Sequence, residues 1–254
     1  MIREADDQSL LRKAAFCLPF ACKIQGLAEA YGMNLPFARF WVQESGEEPC
    51  CALSLLDGAM VMDAGENADF RELAGFIRAA GCRTLLCAER IAHRMSAKAD
   101  RTGAILHFSG TAPFPDLKGA EPDPSLREMS GLLCECGELE QAQAESFYLD
   151  LSHRVRHGAA LTAGIREKER LAACASALSV TEKTAVLSAV AVHPDFRRRG
   201  LGTRAVGSLI SRLPGRDVFV FCAGPQAERF YASLSFSPWG RWAELDFEKE
   251  KRYV

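Results

Sequence analysis

Two glycines and three arginines lie together at residues 197–203, in the sequence RRRGLGT. If a helix begins here, its first backbone N–H groups have no intrahelical partner, and the helix dipole adds partial positive charge. Gly200 and Gly202 bring no side chain that would keep a ligand away from the backbone. Such a segment binds a phosphate or a pyrophosphate. We therefore predict an anion site on the backbone of residues 198–203, with the arginine side chains adding outer positive charge.

Two other interpretations of this loop stay open. Three consecutive arginines could contact nucleic acid, although only this cluster is basic and Asp195 lies just before it. The loop could also be an exposed turn whose glycines serve only the backbone geometry. Its residues fit neither the dinucleotide fingerprint G-x-G-x-x-G nor the phosphate loop G-x-x-x-x-G-K-[ST].

A buried strand and an amphipathic helix are predicted on the two sides of the loop. The segment KTAVLSAVAV, which ends at Val192, is apolar enough to be a strand covered on both faces. After the loop, apolar residues recur with the i, i+3, i+4, i+7 spacing of a helix: Val206, Leu209, Ile210 and Leu213. Over the C-terminal half the predicted order is helix, three strands, helix, strand, helix, strand.

The segment VAVHPDFRRRGLGTRAV resembles the acyl-CoA-binding motif of the GNAT N-acetyltransferases. In that motif an apolar strand and a proline precede Arg/Gln-x-x-Gly-x-Gly/Ala, which Arg197, Gly200 and Gly202 match. The segment AERFYASLSF is similar to the second motif of the family, a helix with Ala-x-x-x-Tyr that leads into a strand. The strand-like DVFVFC lies between the two motifs, as it does in the family.

The resemblance implies a site for acetyl-CoA as co-substrate, without a metal. The backbone of residues 198–203 would hold the CoA pyrophosphate, and the backbone of Val190 and Val192 would pair with the pantetheine arm. The N–H of Val192 would polarise the thioester carbonyl, and Tyr231 would protonate the leaving thiolate as a general acid. Tyr231 also lies on an apolar helix stripe, so a purely structural role stays open. The implied cofactor-binding residues are Val190, Val192, Arg197, Arg198, Arg199, Gly200, Leu201, Gly202 and Thr203.

The sequence departs from the family pattern at three positions. Val186 stands where some members carry a glutamate as general base, and a valine cannot take a proton. Gly224 stands where an asparagine often contacts CoA, and Ser235 stands where glycine is usual. The general base therefore stays open, and the candidates are Asp150, His153, His157 and Glu182.

The N-terminal half repeats nearly the same predicted order of elements, with little residue identity. At the place equivalent to the arginine-glycine loop it has AGENAD, in which Glu66 and Asp69 would repel a diphosphate. We therefore expect this half to be a GNAT-like domain that has lost the cofactor site. It would shape the acceptor pocket, cover the catalytic domain or form a homodimer contact.

The expected fold is mixed α/β (α+β), GNAT-like, with a mostly antiparallel sheet flanked by helices in two tandem domains. A stretch that holds four prolines, Gly110 to Ser125, favours an extended connection over a helix or strand. The expected domains are a non-catalytic one at 1–112, a linker at 113–125 and a catalytic acyl-CoA-binding one at 126–254.

Composition narrows the class of protein. The chain has 254 residues, 48% of them apolar, which is enough for a substantial core. Its net charge of −2 gives nucleic acid or an anionic membrane no general attraction. Ten cysteines without a secretory signal indicate small core residues in a reducing compartment, and no apolar run reaches membrane-spanning length. His153 and His157 lack the glutamate of a zinc protease motif, so no metal is expected.

The sequence thus predicts a cytoplasmic, acyl-CoA-dependent N-acetyltransferase that moves an acetyl group directly from acetyl-CoA to an amine. The acceptor would be a small molecule or a peptide, with neither nucleic acid nor a membrane as partner. The alternative is a non-catalytic acyl-CoA sensor or partner module, which the valine at position 186 keeps open.

Overall fold

The structure, a computed structural model, describes residues 1–95, 98–108, 110, 114 and 117–247. It contains two compact units, each built from several stretches of chain. The first unit comprises residues 1–106, 221–229 and the segment that begins at Pro238, and the second unit comprises 107–220 and 230–237. The predicted division of the chain at residues 112 and 126 stays a prediction. Residues 113, 115 and 116 of the predicted linker lie outside the described residues.

The first part of the chain alternates strands and helices. Its elements are β1 (Ile2–Glu4), α1 (Gln8–Lys13), α2 (Leu18–Tyr31), β2 (Ala38–Ser45), β3 (Glu48–Leu56), β4 (Ala59–Ala64), α3 (Phe70–Ala79), β5 (Thr84–Ala88), α4 (Glu89–Arg94) and β6 (Arg101–Phe108). Residues 96 and 97, which follow α4, lie outside the described residues.

The same order returns in the rest of the chain. Its elements are β7 (Ala120–Pro122), α5 (Leu126–Glu135), α6 (Ala144–Arg156), β8 (Leu161–Glu167), β9 (Arg170–Val180), β10 (Thr184–Val192), α7 (Leu201–Ser211), β11 (Asp217–Cys222), α8 (Pro225–Ala232) and β12 (Phe236–Asp246). Both series read strand, two helices, three strands, helix, strand, helix, strand. The repeated element order expected of two tandem domains is therefore confirmed.

The sheet of the first unit is mostly antiparallel. Strands β1 to β4 pair in sequence order, β4 and β5 run parallel, and β12 pairs antiparallel with β5. Alternate residues of each strand face opposite sides, so the sheet has two apolar faces. Leu11, Ile24 and Leu27 of α1 and α2 pack on one face. Leu73 and Ile77 of α3 pack on the other, which makes a sheet flanked by helices.

The second unit follows the same plan, with antiparallel pairs from β7 to β10 and a parallel pair of β10 and β11. Two elements that the sequence did not predict lie in or beside the proline-rich stretch. Strand β7 is a short one that pairs with β8, and Pro122 ends it. Helix α5 begins after Ser125, whose hydroxyl accepts the N–H of Glu128. The expectation of an extended connection up to residue 125 was therefore wrong for residues 120–122.

The cysteines and the helices agree with a globular interior. Seven of the ten cysteines are buried, and no disulfide links them; all ten lie in the described part of the chain. None of the described helices combines the length and the apolar composition that a bilayer-spanning helix needs.

Candidate functional site

Strands β10 and β11 run side by side and then separate. They pair from Thr184 with Asp217 to Leu187 with Val220, after which β10 continues to Val192. Residues 188–192 therefore keep β9 as a neighbour on one side only, among the described pairs. We call the other side of this segment the open edge of β10.

A β-bulge changes the direction of β10 where the open edge begins. Ser188 pairs with Ser176 and Ala191 pairs with Cys174, so β10 has one residue more than β9 between these pairs. Ala189 takes the left-handed φ of 47°, which is unfavourable for an alanine. Such strain is characteristic of binding and catalytic sites, where the surrounding structure maintains it.

The backbone of Val192 points toward the open edge. The N–H of the next residue, His193, donates to the Ala172 carbonyl on β9 at 2.9 Å. Because successive residues of a strand point their N–H and C=O groups to opposite sides, those of Val192 point away from β9. Its carbonyl oxygen accepts the Nε–H of Arg197 at 3.1 Å. The Val192 N–H is therefore directed to the open edge, where β11 no longer pairs with β10.

Helix α7 starts without a side-chain cap. Its N-cap residue Gly200 has φ 75° and ψ 5°, the left-handed conformation that glycine adopts readily. The first helical bond runs from the Arg204 N–H to the Gly200 carbonyl at 3.1 Å. Within the described residues, no group accepts a hydrogen bond from the N–H groups of residues 198–203. They are therefore available to an anion, with the helix dipole behind them.

The side chains of this loop have different tasks from its backbone. Arg197 binds the Val192 carbonyl and also hydrogen-bonds to Cys136, which partly offsets the rise of the Cys136 thiol pKa caused by burial. The guanidinium of Arg199 lies over the ring of Phe196, 5.3 Å from its centroid. A Cβ atom on Gly202 would lie 3.2 Å from Val192, so the missing side chain lets α7 pack against β10.

Tyr231 lies in the interior of α8. It is only 6% exposed, and its ring packs against Phe230 and Phe236 at centroid distances of 5.0 and 5.2 Å. Its assignment as general acid stays a prediction. Ser235 has a φ of 67°, in the left-handed region, which is a physical reason for the family's usual glycine there.

Three of the four candidate bases lie on α6 or at its C-cap. Asp150 binds the Arg154 Nε–H through both oxygens, at 2.8 and 2.9 Å, and the rings of His153 and His157 stack at 4.1 Å. Glu182 precedes β10 at the end opposite the loop. At ~3.3 Å per residue, about 30 Å separates it from Val192, so it is not a base for chemistry at the open edge.

His193 is a residue of the site region that the sequence interpretation missed. It is 9% exposed, and its Nδ1 accepts the Asp195 N–H at 3.3 Å, which caps the turn Pro194–Phe196. Its Nε2 lies 3.8 Å from the Glu135 carboxylate of α5. The contact between His193 and Glu135 could not be predicted from the sequence, because α5 itself was not predicted. Among the residues that the structure describes, no group of three or more His, Cys, Asp or Glu side chains is placed to hold a metal.

The equivalent helix of the first unit is capped by its own chain. The Asp69 carboxylate accepts the N–H groups of Arg71 and Glu72 at 2.9 and 3.0 Å, at the start of α3. Strands β3 and β4 pair without a register shift, so β4 has no counterpart of the β10 bulge. Asp63 of β4 is buried and accepts the N–H groups of Phe16 and Cys17 at 2.8 and 3.0 Å.

Residues 126–236 match the model of the acetyltransferase (GNAT) family, so this part of the chain is a GNAT domain. Members of the family use acetyl-CoA. No curated protein matches the sequence.

Solved structures extend the likeness to both halves of the chain. A tandem GNAT protein from the clavulanic acid biosynthesis pathway is 17% identical with a TM-score of 0.62, over 96% of this chain and 97% of that one. A GCN5-related N-acetyltransferase from Kribbella flavida is 16% identical with a TM-score of 0.61, over 90% and 93%. Another from Sphaerobacter thermophilus is 13% identical with a TM-score of 0.61, over 96% and 94%. At these identities the likeness is one of fold, and the fold is that of tandem GNAT proteins, with a second GNAT-like domain in the N-terminal half.

The environment of Asp63 predicts a pH-dependent stability. Burial raises the pKa of Asp63 to about 6 from 3.8, against the lowering effect of its two backbone hydrogen bonds and of Arg90. The folded state therefore holds this proton more tightly than the unfolded chain. Its stabilising contribution is complete below pH about 4 and is lost as the pH rises through about 6.

We expect the variant Asp63→Asn, which has no such proton, to gain stability relative to the parent as the pH rises from about 4 to about 7. At 1.36 kcal/mol per pH unit, the gain is up to about 3 kcal/mol. Urea unfolding of both proteins at the two pH values measures it. A stability difference that is the same at both pH values would contradict the assigned environment of Asp63.

Proposed function

We propose that the second unit binds acetyl-CoA and transfers its acetyl group to an amine. The observation that carries this proposal is the uncapped start of α7, at Gly200, beside the open edge of β10. A diphosphate needs hydrogen-bond donors and positive potential, and the N–H groups of residues 198–203 supply both. The match of residues 126–236 to an acetyltransferase family supports the same conclusion.

The loop and the strand would bind different parts of acetyl-CoA. The backbone from Arg198 to Thr203, with Leu201 at its helical start, would hold the pyrophosphate, and the arginine side chains would add positive charge around it. The open edge at Val190 and Val192 would pair with the amide groups of the pantetheine arm, as an added strand would. Acetyl-CoA supplies the activated acyl group. The Val192 N–H, directed away from β9, would donate to the thioester carbonyl and stabilise the charge that develops there.

In the transfer itself the amine nitrogen bonds to the acyl carbon and the carbon–sulfur bond breaks. Tyr231 would give its phenolic proton to the leaving thiolate, and the amine would lose its extra proton to water or to a base elsewhere. Val186 is 1% exposed and carries no proton acceptor, so β10 itself offers no base at that position. Holding both reactants in line would supply much of the acceleration.

The first unit would not take part in acetyl-CoA binding. Asp69 fills the helix start that an anion would need, and its negative charge would repel a pyrophosphate. We propose that this unit shapes the acceptor pocket or forms a homodimer contact. A small molecule or peptide would be the acceptor, and the cytoplasm the location.

Release of the CoA thiol from acetyl-CoA, followed across a panel of amines, tests the proposed transfer. We expect turnover that depends on one class of amine, and tight binding of acetyl-CoA without such turnover would favour a non-catalytic sensor.

The variant Gly200→Glu should weaken acetyl-CoA binding at least about tenfold more than Gly200→Gln, because only the glutamate places a negative charge at the helix start. The two variants share the same backbone strain, and a Cβ at this position meets nothing within 4 Å. Equal affinities of the two variants would place the pyrophosphate elsewhere.

Removing the hydroxyl of Tyr231 tests its role in proton transfer. We expect Tyr231→Phe to lower kcat by about 100-fold while the affinity for acetyl-CoA stays nearly unchanged, because the ring packing is kept. Stopped-flow kinetics and calorimetry measure the two quantities. An unchanged kcat would make Tyr231 a core residue only.

A further inference from the structure

The first unit contains a cavity of about 310 Å³ that the acetyl-transfer proposal does not use. Its walls are largely apolar, from Phe20 of α2, Ala88 of β5, Ile105 of β6 and Trp239 of β12. At ~30 Å³ per water molecule, it has room for about ten groups of that size. The cavity therefore suits a small organic molecule rather than a single ion.

Trp239 forms the aromatic wall of the cavity. Trp239 is 48% exposed, although it is one of the largest apolar side chains of the protein. A hydrogen bond from its side chain partly offsets the rise of the Cys17 thiol pKa caused by burial. Phe16 and Leu18, the sequence neighbours of Cys17, are also more than 40% exposed, so apolar surface continues around Cys17. An exposed indole is a surface on which a flat apolar group can stack.

The cavity is lined by two arginines, of which only one is in an ion pair with a described residue. Arg241 and Glu89 neutralise each other through an ion pair of 2.7 Å. Arg90 also lines the cavity, and within the described residues it makes no hydrogen bond or ion pair. Its charge lowers the pKa of Asp63, whose carboxylate already accepts the two N–H groups of residues 16 and 17.

The thiol in the wall is neutral. Burial, with a smaller contribution from Asp63, raises the pKa of Cys17 to about 11. Cys17 is therefore neither a nucleophile nor a negative charge at physiological pH. Its sulfur acts as a polarizable wall atom, and nothing in it repels a bound anion.

We propose that this cavity binds a small carboxylic acid that carries a flat apolar group. The apolar group stacks on Trp239 above Phe20, and the carboxylate meets the guanidinium of Arg90 in a charge-assisted hydrogen bond. The proposal does not depend on acetyl-CoA binding in the second unit. A cationic ligand would be repelled by the guanidinium of Arg90, so the site favours an anion.

Phenylacetate tests this site, with phenylacetamide and phenethylamine as probes of similar shape that are neutral and cationic. The chain has three tryptophans, and Trp41 and Trp242 are each 4% exposed, so the indole N–H signal of Trp239 reports on the cavity in NMR titrations. A Trp239→Phe variant assigns that signal. We expect phenylacetate to shift it and to bind about tenfold or more tightly than either other probe.

Two arginine variants separate the specific contact from a general loss of charge. Arg90→Gln should weaken phenylacetate binding about tenfold, whereas Arg78→Gln, on the exposed side of α3, should leave it unchanged. Unchanged melting temperatures confirm that both variants fold. No shift of the Trp239 signal by millimolar phenylacetate, equal binding of the three probes, or full binding by Arg90→Gln would each overturn the proposal.

Discussion

The N–H groups at the start of α7 can receive an anion because Gly200 caps this helix without a side chain. The equivalent helix of the first unit is α3, and there the carboxylate of Asp69 accepts two of the N–H groups at the helix start. The N-cap residue thus makes the difference: Asp69 satisfies the N–H groups at the start of α3, whereas Gly200 leaves those at the start of α7 for a ligand. The rest of the proposed site depends on this difference, because Val192 and Tyr231 can act on the thioester only when the helix start holds the pyrophosphate.

Strand β10 provides the second constraint. Its bulge and the left-handed Ala189 are costly for a strand, and β4, the equivalent strand of the first unit, pairs with β3 without either. The cost coincides with the segment where β11 no longer pairs, so the strained backbone faces the space beside Val192. In the first unit β4 also continues beyond its pairs with β5, but it pairs with β3 without a bulge, and the helix that follows it, α3, is capped by Asp69.

Much of the fold followed from apolar periodicity. The strands around the loop and the helix that begins at Leu201 were predictable because each carries a clear period of two or 3.6 residues, or a wholly apolar run. Helix α5 was missed because the prolines before it dominated the interpretation, although Ser125 and Glu128 form a capping pattern that could have revealed it. The bulge could not be predicted, since it depends on how β10 pairs with β9 and not on either strand alone.

The candidate site was predictable to a similar extent. The loop at 197–203 could be recognised because its contacts are local in sequence, whereas the contact between His193 and Glu135 depends on the missed helix. The cavity of the first unit could not be predicted, because Cys17 and Trp239 are more than 200 residues apart and only the folded chain brings them together. Contacts of this kind belong to the fold and leave no pattern in a short stretch of sequence.

The number of acetyl-CoA molecules bound per chain tests the central claim most directly. Isothermal titration calorimetry of the 254-residue chain should give one molecule per chain, held by the second unit. Two molecules per chain would contradict the role of Asp69 in the first unit, and the absence of binding would contradict the role of Gly200 in the second.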